Sequence, residues 1–173
     1  QGVKELIRVA QETTLYGVDL YGRKRLHELL RELCRIDGIY WIRIQYCYPE
    51  EIYEELIQVM KEEEKICHYH LPIQHASDDI LRRMGRKTTK AQLLAVVDHL
   101  REEIPDICLR TTLIAGFPGE TQEEHEELME FIDTCEFDRL GVFTYSPEED
   151  TPAAVMDNQI VEEQKELWRD ELM

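Results

Sequence analysis

Apolar residues along the chain follow two alternating spacings. Short apolar or alternating runs predict β-strands at residues 3–11, 40–46, 68–74, 108–115 and 140–145. Between them, leucine, isoleucine and valine recur at helical spacing, which predicts helices over residues 24–35, 50–65, 78–84, 90–103, 122–135 and 161–173. Because strands that are separated by helices usually pair in parallel, the pattern predicts an α/β fold with a parallel sheet.

Residues at the predicted helix ends support these assignments. Ser77 precedes two aspartates and is expected to cap the helix that starts at residue 78, while Gly85 is expected to close that helix. Thr121 and Glu124 have the spacing of a capping box, which predicts a helix start at residue 122. The residue types at these helix ends therefore agree with the helix boundaries that the hydrophobic spacing predicts.

The number of strands suggests an incomplete barrel. Five parallel strands do not close a barrel, and the chain opens directly on a strand, so we expect at least one βα unit to be missing upstream. A polar stretch at residues 148–159 is expected to be a linker before the last helix. We therefore predict a core domain at 1–147 and, at 148–173, a linker and helix that lead to a downstream domain absent from this chain.

Composition and charge narrow the class of protein. Hydrophobic residues make up 43% of the 173 residues and charged residues 33%, as in a globular domain. No apolar run approaches the roughly 20 residues that span a bilayer, so we expect no membrane association. A formal charge of −17 disfavours nonspecific binding to nucleic acid and suits a basic partner. Five scattered cysteines without CxxC spacing argue against disulfides and against a local cysteine metal site, and favour a cytoplasmic location.

Polar residues collect on one side of the predicted strands and at their carboxyl ends. If the aliphatic sides face the helices, the interior of the sheet carries these side chains: Glu5, Arg43, Gln45, Arg110 and Thr112. Charged groups are costly in a barrel interior unless they are paired or bound. Two explanations are open, namely a polar ligand inside the barrel or an internal Glu–Arg pair between strands.

The segment GFPGET, residues 116–121, resembles a phosphate-binding loop in outline. It lacks the lysine of a P-loop, and the helix after it starts with glutamates that would repel phosphate. We therefore expect Gly116 to let a flat ligand approach the backbone, and Pro118 and Gly119 to form a turn.

Histidines and cationic residues suggest weaker alternatives. His68 and His70 share a face of one strand, but a metal site needs three or four convergent ligands, so both are expected to be satisfied near the sheet. His75 lies at a strand end beside Gln74 and Ser77, where we expect ligand contact. A patch that binds nucleic acid or another partner is suggested by the basic cluster of Arg82, Arg83, Arg86, Lys87 and Lys90. A helix carboxyl end favours cations in any case, so the partner-binding role is secondary. Without an evident nucleophile–base pair, the chemistry is expected to belong to a cofactor.

Four long motifs carry a family resemblance. VAQETTLYGVDLYG, LPIQHASDDILRRMGRKTT, IPDICLRTTLIAGFPGETQEEHEEL and FDRLGVFTYSPEEDTPAA together resemble the radical S-adenosylmethionine methylthiotransferases over nearly the whole chain. PIQHAS and DRLGVFTYSPEEDTPA are most similar to the ribosomal-protein type of this family, whose acceptor is an aspartate of a small-subunit ribosomal protein. The resemblance implies a partial (β/α)6 TIM-like barrel.

The resemblance also implies cofactors and residues that bind them. It implies S-adenosylmethionine and 4Fe–4S clusters, whose cysteine ligands would lie upstream, since no CxxxCxxC motif occurs in this chain. Nine residues are implied in S-adenosylmethionine binding. By strand they are Gln11 and Thr13 near the methionine group, Gln74, His75 and Ser77 near the ribose and methionine, Arg110 and Thr112 in the interior, and Ile114 and Gly116 at the adenine.

The implied function is that of a transferase working with partners. The substrate would be a small-subunit ribosomal protein, and the reductant a flavodoxin or ferredoxin, while this chain alone would be inactive. One alternative is the tRNA-modifying branch of the same family. A second alternative is a noncatalytic α/β binding module.

Overall fold

The computed structural model describes residues 2–173, apart from the side chains of Cys67 and His68. Five strands form one sheet in the order β1-β2-β3-β4-β5, and the pairs β1–β2 and β2–β3 are parallel. The strands are β1 (Glu5–Val9), β2 (Trp41–Gln45), β3 (Ile66–Gln74), β4 (Cys108–Ala115) and β5 (Arg139–Thr144). The predicted α/β class and all five predicted strands are confirmed.

Helices connect the strands as the hydrophobic spacing predicts. They are α1 (Val18–Tyr21), α2 (Leu26–Cys34), α3 (Glu54–Glu62), α4 (Asp78–Arg83), α5 (Lys90–Glu103), α6 (Gln122–Cys135) and α7 (Glu162–Leu172). The predicted helix at 50–65 is instead a 3₁₀ turn, Pro49–Glu51, followed by α3. The short α1 and a 3₁₀ turn at Pro152–Val155 were not predicted, because elements of four residues show no hydrophobic period. No helix among residues 2–173 is both long and apolar enough to cross a membrane.

The chain divides into two compact units. Unit 1 comprises Gln1–Pro72 and Val96–Arg110. In it, α2 packs on α3, and Leu26, Leu30 and Cys34 form the buried stripe of α2 at a spacing of four residues. The strand residues Ile42 and Ile44 are fully buried on one face of β2.

Unit 2 comprises Ile73–Ala95 and Thr111–Met173. Here α7 packs against β5 and α6, and the stretch at 148–159 is ordered, with Ala153 and Met156 against a cluster of Ile80, Phe117 and Tyr145. Residues 148–173 therefore belong to the same compact unit as β5. The domain border at 147/148 stays a prediction.

The two faces of the strands differ as the alternation predicts. On β4, Leu109, Thr111, Leu113 and Ala115 are buried, whereas the alternate residues are less so, and Arg110 is exposed. In unit 1 the Arg43 guanidinium pairs with the Glu5 carboxylate across β1 and β2, with Nε 2.9 Å from Oε1. The internal Glu–Arg pair considered from the sequence is therefore present.

Candidate functional site

The carboxyl end of β3 is built from Gln74, His75 and Ser77. Gln74 ends the strand with φ 75°, in the left-handed region that non-glycine residues seldom adopt, and its side chain is half-buried. Unusual backbone of this kind is concentrated at functional sites and turns. It ends the strand sharply just before the helix that Ser77 caps.

His75 and Ser77 are held by internal hydrogen bonds. The His75 side chain is fully buried, and its Nδ1 accepts from the backbone N–H of Ser77 at 3.0 Å, so its Nε2 carries the proton of a neutral ring. The Ser77 hydroxyl accepts from the N–H of Ile80 and donates to Glu124 at 2.9 Å. The predicted cap is confirmed. Both side chains are engaged within unit 2, which suits a role in shaping the strand end.

The loop after β4 is organised by the buried carboxylate of Glu120. Its Oε2 accepts from the backbone N–H groups of Gly116 at 2.6 Å and Phe117 at 3.0 Å. These amides are the ones that a bound phosphate would need. Since the chain's own carboxylate occupies them, this loop does not act as a phosphate cradle. Pro118 and Gly119 form the predicted turn, and the Thr121–Glu124 capping box is confirmed.

Gly116 has a packing role that the sequence did not reveal. Its φ is 76°, and a Cβ at this position would overlap the Cγ of Lys165. The Lys165 stem thus fills the space beside the Gly116 α-carbon, where the sequence argument placed a flat ligand. The adenine contact that was assigned to Gly116 stays a prediction, and would have to use another side of the backbone.

A buried row of acidic and imidazole groups lies behind the strand ends. Glu120 Oε1 is 3.2 Å from His75 Nε2 and 3.9 Å from His125 Nδ1, and all three side chains are buried. The 3.2 Å separation is short enough for a hydrogen bond, although its angles are not those of one. On the other side, His125 Nε2 is 2.9 Å from Glu171 Oε2. Sequence reasoning missed this row; the available signal was a histidine among the apolar positions of α6.

Ile114 and Thr112 are the half-buried positions on β4. Ile114 packs against the cluster of Ile80, Phe117 and Tyr145, which gives the end of β4 an apolar wall. Thr112 lies two residues before it on the same face. An apolar side chain beside a hydroxyl is a suitable surface for a nucleoside, whose base is flat and whose ribose is polar.

In unit 1 the predicted residues differ in exposure. Gln11 and Arg110 are exposed, whereas Thr13 is buried and donates to the Tyr46 carbonyl at 2.8 Å. His70 is buried, and its burial and the charge of Arg110 lower its pKa to about 4. A neutral imidazole near the sheet agrees with the sequence interpretation of His70.

Three of the described cysteines, Cys34, Cys47 and Cys135, are buried like core residues, whereas Cys108 is half-buried. No disulfide forms among Cys34, Cys47, Cys108 and Cys135. Burial raises the pKa of Cys34 to about 11 and that of Cys47 to about 12, so neither is a thiolate near neutral pH. Among the residues whose side chains are described, no three His, Cys, Asp or Glu could hold a metal ion. Cys67 and His68 lie outside that set.

Parallel strands joined by helices, with polar side chains at the strand ends, define an α/β protein of the barrel class. A model of the radical SAM superfamily matches residues 1–132. The chain therefore belongs to the radical SAM superfamily.

Curated relatives are similar along the whole chain. The ribosomal protein uS12 methylthiotransferase RimO of Lachnoclostridium phytofermentans is 67% identical over 173 residues, which are 99% of this chain and 39% of the relative. The RimO protein of Clostridium perfringens is 56% identical over the same length and with the same coverage. The chain thus spans about two fifths of the length of these relatives.

Solved structures share the fold at low identity. Coproporphyrinogen III oxidase (HemN) from Escherichia coli, a radical SAM enzyme, has a TM-score of 0.76 at 22% identity, covering 98% of this chain and 39% of that one. Methylornithine synthase (PylB) has a TM-score of 0.69 at 15% identity, covering 99% and 48%. Streptococcus suis SuiB bound to S-adenosylmethionine has a TM-score of 0.64 at 15% identity, covering 97% and 35%. The predicted barrel-type fold is confirmed.

Proposed function

We propose that this chain is the S-adenosylmethionine-binding core of an enzyme that adds a methylthio group to an aspartate of ribosomal protein uS12. The observation that carries the proposal is the 67% identity with a relative of that name over 99% of the chain. The formal charge of −17 supports a protein acceptor over tRNA, because an acidic surface repels a phosphate backbone.

The predicted site residues of unit 2 have two roles in this proposal, namely contact with the ligand and support of the strand end. Gln74, Thr112 and Ile114 are half-buried, so they are the residues with surface available to touch a ligand. Ile114, supported by the apolar cluster beneath it, would face the adenine, and the polar Gln74 and Thr112 would face the ribose and methionine. His75 and Ser77 are buried and internally bonded, so they would hold the end of β3 in shape.

The predicted site residues of unit 1 also divide into ligand contacts and a residue that supports the backbone. The exposed Gln11 and Arg110 would meet polar groups of S-adenosylmethionine, while the buried Thr13 would fix the backbone after β1 through Tyr46. When bound together, a reduced 4Fe–4S cluster and S-adenosylmethionine supply the radical chemistry of the family. The cluster ligands would come from residues outside this segment, and the electron from a flavodoxin or ferredoxin in the cytoplasm.

The test uses the full-length protein, reconstituted anaerobically with iron and sulfide. S-adenosylmethionine and a reductant are added with either uS12 or tRNA, and deoxyadenosine and the masses of both acceptors are measured. We expect deoxyadenosine release and a methylthio group on an aspartate of uS12. Modification of tRNA would replace the proposed acceptor. Absence of deoxyadenosine with either acceptor would contradict the radical reaction.

A pair of variants tests the site itself. Ile114→Ala removes the apolar wall, and we expect weaker binding of S-adenosylhomocysteine, a nonreacting probe, by about tenfold, as for one buried aliphatic side chain. Leu167→Ala, at an exposed position of α7, is the matched control. Equal affinity of the two variants would contradict the proposed placement of the adenine.

A further inference from the structure

The buried side of α7 contains an unexpected charged residue. Its three buried residues are Lys165, Trp168 and Leu172, at the spacing of one helix face. A lysine with 5% exposure needs partners. Lys165 Nζ donates to the backbone carbonyl of Tyr145 at 2.9 Å and to Glu162 at 3.1 Å. Its stem lies against Gly116. One side chain of α7 therefore contacts the backbone that follows both β4 and β5.

A second contact runs through the ring of His125. Trp168 stacks on this ring, with centroids 5.0 Å apart and planes 13° apart, and its Nε1 donates to Gln122 at 3.2 Å. The stacked ring lies between two carboxylates, with Nε2 toward Glu171 and Nδ1 toward Glu120. His125 Nε2 is hydrogen-bonded to Glu171, whereas Nδ1 makes no hydrogen bond and lies 3.9 Å from Glu120 Oε1. Glu171 is thus the group on α7 that holds the ring in place beside Glu120.

The Glu120 carboxylate lies between the His125 ring and the backbone at the strand ends. One of its oxygens faces His125 and His75, and the other accepts from the amides of Gly116 and Phe117. A change at Glu171 is therefore separated from the Gly116 amide only by His125 and Glu120. The row joins a partly exposed carboxylate on α7, whose side chain is 42% exposed, to the end of β4.

We propose that Glu171 and His125 are positioning residues, through which α7 fixes the Glu120 carboxylate and hence the backbone after β4. The inference rests on the proposed function in one respect, namely that the adenosyl group binds at the end of β4, next to this backbone. Neither residue is expected to touch the ligand. Their effect should appear in the affinity for the ligand and in the protection of the 116–117 amides, while the rate at saturating ligand changes little.

The test compares two isosteric changes on the same helix in the full-length protein. Glu171→Gln removes the charge that faces His125, and Glu163→Gln makes the same change at an exposed position. Hydrogen exchange is measured by mass spectrometry on peptides covering 113–121 and 162–172. We expect Glu171→Gln to speed exchange at 113–121 by about tenfold, the equivalent of one charge-assisted hydrogen bond, and Glu163→Gln to leave it unchanged.

Ligand measurements complete the design. We expect Glu171→Gln to raise the Kd for S-adenosylhomocysteine and the KM for S-adenosylmethionine several-fold with kcat nearly unchanged, and Glu171→Asp, which keeps the charge, to restore part of the loss. Faster exchange confined to 162–172, with unchanged KM, would overturn the positioning role. If the wild-type protein releases no deoxyadenosine, the proposed function fails, while exchange at 113–121 still decides whether α7 positions this backbone.

Discussion

Replacing Gly116 by alanine separates two reasons why this position is a glycine. The first is the backbone, since φ is 76° and the left-handed region costs an L-residue about 1–2 kcal/mol. The second is the overlap of the new methyl group with the Lys165 stem, for which overpacking typically costs about 1–3 kcal/mol. We therefore expect Gly116→Ala to lower the local free energy of opening by about 2–5 kcal/mol.

A matched glycine isolates the backbone term. Gly85 has the same φ of 76°, but nothing lies within 4 Å of the position where its Cβ would be. Gly85→Ala should therefore cost only about 1–2 kcal/mol. The assay is hydrogen exchange in the full-length protein at increasing urea, read on peptides covering residues 113–121 for Gly116 and 81–89 for Gly85.

A double variant isolates the overlap. Lys165→Ala removes the Cγ that meets the new methyl group, so Gly116→Ala should cost about 1–3 kcal/mol less in that background. Strict additivity of the two changes, or equal costs for Gly116→Ala and Gly85→Ala, would refute the packing explanation. The space beside Gly116 would then be available to a ligand, as the sequence argument supposed.

Three further predictions concern single side chains. Glu120→Gln should destabilise the 113–121 segment by about 2 kcal/mol, because two charge-assisted hydrogen bonds from backbone amides are weakened. Glu123→Gln, at an exposed position, should leave the segment unchanged. Equal hydrogen exchange of this segment in the two variants would contradict the role of Glu120. The pKa of His70 is lowered from 6.5 to about 4, so the contribution of its neutral ring to the free energy of unfolding is fully present above pH 6.5. This contribution is lost as the pH falls toward 4, by no more than about 3 kcal/mol. In His70→Phe, exchange of the 66–74 segment, corrected for its intrinsic pH dependence, should lack this loss, and an unchanged loss would assign it elsewhere. Thr121→Ala should cost about 1 kcal/mol and increase exchange in the first turn of α6, and an unaffected first turn would refute the capping box.

Local patterns predicted the elements because their causes are local. The bounds of α5, β4 and α6 agree with the sequence prediction, since hydrophobic spacing and the Thr121–Glu124 pair act within a few residues. The row behind the strand ends could not be predicted in that way. His125 and Glu171 are 46 residues apart, and a glutamate near the end of an acidic helix has the sequence signature of a solvated charge.

The loop at 116–121 shows how the same residues support different functions. Glycines beside a helix start usually leave amides open to an anion, and here those amides are taken by Glu120. The space that Gly116 leaves is taken by Lys165 of α7. Both spaces at this loop are therefore filled by the chain itself, and a contact between the adenine and Gly116 stays a prediction. The proposed function places the adenosyl group against the half-buried side of β4 at Ile114. A ligand bound there would depend on how firmly Glu120 and Lys165 hold the backbone, which is why substitutions on α7 are the sensitive test.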